Sequence, residues 1–151
     1  MFRGVSKISL DAKGRAAMPT RYRERIADRC SGQLIATVDR DYCLLIYPLP
    51  DWEEIERKLM RLPSFDRKAR RLQRLMVGHA TEMELDSNGR VLVSRELREF
   101  ARLEKRAILI GQGNRFELWD ETLWHERRDA WLAEEDADEG ELSSELESLS
   151  L

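Results

Sequence analysis

Leu10-Asp11-Ala12-Lys13-Gly14-Arg15 returns 75 residues later as Leu85-Asp86-Ser87-Asn88-Gly89-Arg90, with Leu, Asp, Gly and Arg in the same places. Each copy continues into a short apolar run, Ala16-Ala17-Met18 or Val91-Leu92-Val93, and then into a charged segment with helical spacing. A motif that heads two similar halves reads as a duplicated module. Before the first copy, Val5-Ser6-Lys7-Ile8-Ser9-Leu10 alternates polar and apolar residues, which is the period of a half-buried strand. Asp11 and Gly14 bracket a turn, because Asp bonds backbone two residues on and Gly accepts positive φ. The spacing predicts a hairpin with Lys13 at its tip and the Arg15 guanidinium at its neck. In the second copy Met83 and Leu85 alternate with Glu82 and Glu84, Asn88-Gly89 forms the turn, and Arg90 stands where Arg15 did. Taken singly, either copy is an ordinary Asp/Gly turn with a solvated arginine. Retention of the arginine in both argues for more.

Outward from the turns the two halves stay parallel. Pro19-Thr20 opens a helix on which Tyr22, Ile26 and Cys30 form one apolar stripe, while Arg21, Arg23, Arg25 and Arg29 cover other faces. Its counterpart starts at Ser94 as N-cap and carries Leu97, Phe100, Ala101 and Leu103. Strands follow at 34–38 and 43–47, and again at 107–110 and 116–119, the latter pair turning around Gly111-Gln112-Gly113-Asn114. Each half therefore reads β-β-α-β-β, with a trailing helix from Asp51 or near Thr122. Between the halves, Phe65, Ala69, Leu72 and Met76 place a narrow apolar stripe on a helix, widened by Leu75. Arg67, Lys68, Arg70, Arg71 and Arg74 line the rest. That basic face fits either a contact with DNA or salt bridges to acids on neighbouring elements.

The chain has 26 Lys and Arg against 29 Asp and Glu, a formal charge of −3, but the charges are segregated. Eight acids and no base follow Ala133, so residues 1–132 hold 26 basic against 21 acidic residues, a net charge of +5. A basic body with an acidic tail keeps nucleic acid open as a partner. The tail, Ser-rich with leucines at 142, 146 and 149, is expected to be disordered. No stretch has the length of a signal-peptide core or a membrane span, which predicts a soluble intracellular chain. Cys30 and Cys43 read as small buried hydrophobes of a reducing compartment. Modules of about 75 residues bury only modest cores and should lean on each other or on other chains.

No enzyme site assembles from the residues. His79 and His125 lack metal-ligand spacing, and His79 reads as a helix cap. No nucleophile-elbow pattern supports a Ser-His-Asp triad, and Gly111-Gln112-Gly113 lacks the third glycine of a dinucleotide loop. Trp52, Trp119, Trp124 and Trp131 read as core and interface packing. The expectation is no catalysis, no cofactor, no metal and no small-molecule substrate.

Met1-Phe2-Arg3-Gly4, Leu10-Asp11-x-Lys13-Gly14-Arg15, Pro19-x-Arg21-x-Arg23, Asp86-x-x-Gly89-Arg90 and Phe116-Glu117-Leu118-Trp119-Asp120, in that order, resemble the MraZ family of bacterial transcriptional regulators. The similarity runs from Met1 to about Trp131. It implies a mixed α+β, mostly β fold: two tandem swapped-hairpin domains of the SpoVT-AbrB type, forming a pseudo-two-fold, double-ψ-like barrel unit with connecting helices. The corresponding division is residues 1–51 and 80–123 for the two domains, 52–79 for a helical linker, and 124–151 for a C-terminal helix and acidic tail. The resemblance further implies a cytoplasmic, nucleoid-associated protein that forms ring-like homo-oligomers. Such a protein binds repeated promoter sites in double-stranded DNA upstream of its own operon, in a division and cell-wall cluster. Arg15 and Arg90 would contact DNA, with Lys13, Lys7 and Arg3 adding phosphate contacts. Asp11, Gly14, Asp86 and Gly89 would hold the turns and orient the arginines. Asn88 in place of Lys13, and Glu82 and Glu84 upstream, set a weaker field around Arg90. The rival expectation is a structural or adaptor oligomer that uses the same surfaces for protein contacts. A toxin-neutralising antitoxin is a third, disfavoured by the duplication.

Overall fold

The computed structural model describes residues 1–134 and 148–149. The first half runs β1 (Phe2–Ser9), β2 (Arg15–Ala17), α1 (Thr20–Cys30), β3 (Gln33–Val38) and β4 (Leu44–Pro48). Then come α2 (Leu49–Met60), α3 (Arg67–Leu72) and a π-helical turn, Gln73–Val77. The second half repeats the order with β5 (Thr81–Glu84), β6 (Arg90–Leu92), α4 (Arg95–Phe100), β7 (Arg106–Gly113) and β8 (Arg115–Asp120), and α5 (Glu121–Ala133) follows. Met1–Glu121 form one compact unit, and the chain from Thr122 belongs to a second. Within that second unit Trp124 and Trp131 meet edge-on, centroids 5.9 Å apart. The expected disorder of the acidic tail after Glu134 lies outside the described residues.

Local chemistry explains the helices. On α1 the predicted stripe of Tyr22, Ile26 and Cys30 is buried, and the helix ends at Ser31 in a left-handed cap whose N–H donates to the Ala27 carbonyl. Ser94 caps α4 through its hydroxyl, which accepts from the Leu97 N–H at 3.3 Å.

The strands distribute themselves across the repeat. Six form one antiparallel sheet in the order β1-β7-β8-β4-β3-β5, and β2 pairs with β6 as a separate ribbon. β1 pairs along its whole length with β7, from Phe2 opposite Gly113 to Ser9 opposite Arg106. Reciprocally, β5 of the second half pairs with β3 of the first, Gln33 opposite Glu84. The hairpins expected from sequence therefore close only at their turns: β1 and β2 share a single bridge, Leu10 to Ala16. A strand of three residues cannot cover one of eight, so β1 completes its hydrogen bonding on the other half. β7 also continues through Gly111 to Gly113, which moves the predicted turn forward onto Asn114.

Both faces of the sheet centre are covered, which is why β3 and β4 read as continuous apolar runs. Leu34, Ala36, Leu44, Ile46, Leu109, Phe116 and Leu118 pack on one face with Ala16 and Val91 of the β2–β6 ribbon, Met18 and Val93 just after it, Tyr22 and Ile26 of α1 and Leu97 of α4. On the opposite face Ile35, Leu45 and Tyr47 meet Trp52 and Leu59 of α2, with Met76 and Val77 of the π turn beside them. Trp52 and Trp119 are buried core residues, as the sequence predicts. Phe65 is not. It is 89% exposed, because Asp66 caps α3 through the Lys68 N–H and starts the helix one residue after Phe65. Ala69 is the one buried residue of α3. His79 does take the capping role, its Nδ1 lying 2.8 Å from the Leu75 carbonyl oxygen.

Candidate nucleic-acid interface

Each turn is built around its aspartate. Asp11 Oδ1 accepts from the Lys13 and Arg15 backbone N–H groups at 3.0 and 2.9 Å, and Asp86 Oδ1 accepts from those of Asn88 and Arg90, both at 2.8 Å. The backbone closes underneath, with Gly14 N–H on the Asp11 carbonyl and Gly89 N–H on that of Asp86, each at 3.0 Å. Both glycines sit in the left-handed region, at φ of 89° and 74°. A carboxylate that accepts this many N–H bonds prefers to stay ionised. The Arg15 backbone N–H, together with the Arg15 guanidinium and the Lys13 N–H, holds Asp11 down to about 2. The Arg90 backbone N–H is the main cause of a lowered pKa at Asp86, helped by the Asn88 N–H and the guanidinium charges of Arg90 and Arg15.

The β2–β6 ribbon brings the two turns together. Arg15 stands opposite Leu92 and Arg90 opposite Ala17. The Gly14 carbonyl accepts from the Val93 N–H and the Gly89 carbonyl from the Met18 N–H, both at 2.9 Å, so each turn is tied to the other half. The arginines are held unequally. Arg15 Nε donates to Asp11 Oδ2 at 2.7 Å. Arg90 Nε lies 3.6 Å from Asp86 Oδ2, and its Nη1 lies 3.9 Å from Asp11 Oδ2. Among the described residues, that buried Arg90 Nε has no hydrogen-bond partner. Both arginines keep about a third of their side-chain surface open, 33% and 32%. Arg15 is thus aimed by its own aspartate, while Arg90 sits more loosely between two.

Of the residues predicted for this site, Arg15, Lys13, Arg90, Asp11, Gly14, Asp86 and Gly89 come together at the paired turns. Lys7 and Arg3 do not. They lie exposed along the edge strand β1, with Arg3 near the far end opposite Gln112. Sequence reasoning missed the role of Arg23 on α1 and overlooked Arg98 on α4. Arg98 donates through Nε to the Val93 carbonyl and lies over Gly14, where a Cβ would come within 2.5 Å of it. Arg23 does the same from the Met18 carbonyl over Gly89. Each glycine thus leaves room for an arginine of the opposite half. The available signal was position: each of these arginines falls eight residues after the arginine of its own turn.

The two carboxylates are engaged by N–H groups and guanidinium ions. Among the described residues no cluster of His, Cys, Asp and Glu is arranged to hold a metal ion. No helix among them is long and apolar enough to cross a membrane. Burial and nearby carboxylates push the Cys43 thiol far up, so it stays protonated.

A duplicated β-rich chain whose halves exchange strands, and whose Asp-x-x-Gly-Arg turns meet on one ribbon, defines a class of paired-arginine scaffold. Two consecutive stretches, residues 1–75 and 76–141, match the model of the MraZ protein family, described as antitoxin-like. The chain belongs to that family. It is 60% identical over 152 residues to the transcriptional regulator MraZ of Halorhodospira halophila, covering all of both chains. It is equally 60% identical over 151 residues to that of Thioalkalivibrio sulfidiphilus, again covering all of both. The transcriptional regulator MraZ of Pseudomonas aeruginosa PAO1 is 58% identical over 134 residues, 88% of this chain and 89% of its own.

Proposed function

We propose that this protein is a cytoplasmic, nucleoid-associated transcriptional regulator that binds duplex DNA through the paired turns. It acts at repeated sites in the promoter of its own operon, which serves division and cell-wall synthesis. The observation that carries the reading is the joining of the two turns by the β2–β6 ribbon, so that Arg15 and Arg90 share one surface. A guanidinium fixed at Nε leaves its terminal nitrogens free to fork onto guanine O6 and N7 or onto phosphate. Lys13 adds charge at the tip of the first turn, and Lys7 and Arg3 add phosphate contacts along β1. The exchange of β1 and β5 supports the swapped-hairpin, double-ψ-like reading of the barrel, with modules at 1–51 and 80–123 and connecting segments at 52–79 and 124–151. Exposed Val5, Met60, Leu62 and Phe65 support self-association into a ring-like homo-oligomer. Those same apolar side chains favour the adaptor reading, in which the protein would flow through heparin instead of being retained and released by salt.

Arg15→Ala should abolish binding to a promoter fragment while leaving fold and assembly intact. Removing one bidentate interaction costs roughly 1–3 kcal/mol, and the cost is multiplied over several bound copies. Arg90→Ala should cost less, since Arg90 is less firmly aimed and has Asn88 and Glu84 nearby in sequence. Arg15→Lys should fail nearly as badly as alanine if the contact is a planar fork. Gel shifts on the three variants test this: full promoter binding by Arg15→Ala ends the reading of the turn as the DNA-contacting element.

A further inference from the structure

The densest run of basic residues in the chain is on α3 and the π turn after it. Arg67, Arg70, Arg71 and Arg74 recur at i, i+3, i+4 and i+7, a stripe about 10 Å long at 1.5 Å per residue. Lys68 stands beside them, and all five side chains are exposed. Among the described residues none of the five forms a side-chain ion pair or hydrogen bond. Arginines elsewhere do find acids: Arg29 pairs with Asp51 at 3.1 Å and Arg95 with Glu99 at 3.0 Å. The neighbouring acid, Asp66, is occupied as the N-cap of α3. Like charges at these spacings repel one another and weaken the helix that carries them. The scaffold nonetheless holds the stripe in place. Gln73 Nε2 donates to the Leu59 carbonyl at 2.9 Å, Thr37 Oγ1 donates to the Met76 carbonyl at 2.6 Å, and Ala69 is buried.

We propose that this stripe is a second binding surface for the phosphate backbone of duplex DNA. The proposal rests on the DNA-binding reading above, but it concerns a different surface. Met76 and Val77 of the π turn pack with α2 on one face of the six-stranded sheet, the β2–β6 ribbon that carries the turns packs on the other, and Leu75 of the π turn reaches the ribbon-side cluster. The stripe engages backbone phosphates outside the contact made by Arg15 and Arg90. It supplies sequence-independent affinity, since phosphate contacts position without reading bases.

The test uses the full chain and a random-sequence duplex, with affinity measured across a salt series. A variant with all four arginines changed to glutamine should bind more weakly. Its log–log salt slope should fall by about 3–4, near 0.9 for each phosphate that is no longer neutralised. Its preference for a promoter fragment over random duplex should hold. A second variant with the same four positions changed to lysine should keep the wild-type slope, because a point charge suffices at phosphate. A glutamine variant that keeps its circular dichroism and assembly but shows an unchanged slope overturns the proposal, as does a lysine variant that behaves like glutamine. The two readings fail separately. If Arg15→Ala loses the promoter while the glutamine variant matches wild type, only the α3 surface is lost. If wild type binds no duplex at low salt, the DNA reading itself fails.

Discussion

At the scale of single residues, the turn aspartates do the organising. Asp11 closes the turn, aims Arg15 and lies within reach of Arg90, so one carboxylate links both arginines. Its pKa is depressed in the folded chain from 3.8 to about 2. A depressed carboxylate contributes stability that is complete above its unfolded pKa and is lost as pH falls through its folded pKa. Asp11→Asn should therefore melt below wild type at pH 7, and the gap should close between about pH 4 and 2. Thermal melts of both proteins across that range check this. A gap that persists undiminished at pH 2 would show that charge is not what Asp11 supplies.

At the scale of elements, the segment from α2 to the π turn joins the two halves. It covers one face of β3 and β4, and Thr37 is its anchor. That threonine is fully buried near the end of β3, and its hydroxyl donates to the Met76 carbonyl in the π turn. Widening a helix into a π turn disturbs its carbonyl ladder, and a strand hydroxyl offers an alternative donor. Thr37→Val keeps the volume but leaves that carbonyl unpaired, at a cost of about 1–3 kcal/mol. A lower urea midpoint with an unchanged slope would match a local loss of this kind. An unchanged midpoint would mean that the π turn is held by packing of Met76 and Val77 alone.

At the scale of the molecule, the halves cannot be separated without breaking sheets. β1 finds its partner on β7, β5 finds its partner on β3, and β4 pairs with β8 across the repeat. Residues 1–75 alone would leave β1 unpaired, with Phe2 cut off from the stacked ring of Phe116, 4.2 Å away. That half should be unfolded, or should form a dimer in which two copies supply the missing strands to each other. Circular dichroism with light scattering distinguishes these from the outcome that contradicts the packing, a folded monomer.

Much of this was legible in the residues themselves. The repeat of Leu-Asp-x-x-Gly-Arg fixes two turns because Asp bonding and Gly φ are local properties, and the period of Tyr22, Ile26 and Cys30 marks the buried side of α1 for the same reason. Strand partners were not legible, because period-2 alternation says that a strand has an apolar face and not which strand it meets. Only the tertiary structure sends β1 to β7, joins β2 to β6 and thereby sets Arg90 beside Asp11. Phe65 shows the same limit from the other side. Its spacing fits the stripe of Ala69 and Met76, but the Asp66 cap starts the helix after it and leaves the ring in solvent. Arg98 completes the case: nothing local to α4 indicates that it lies over Gly14, because that contact exists only once the two halves have exchanged strands.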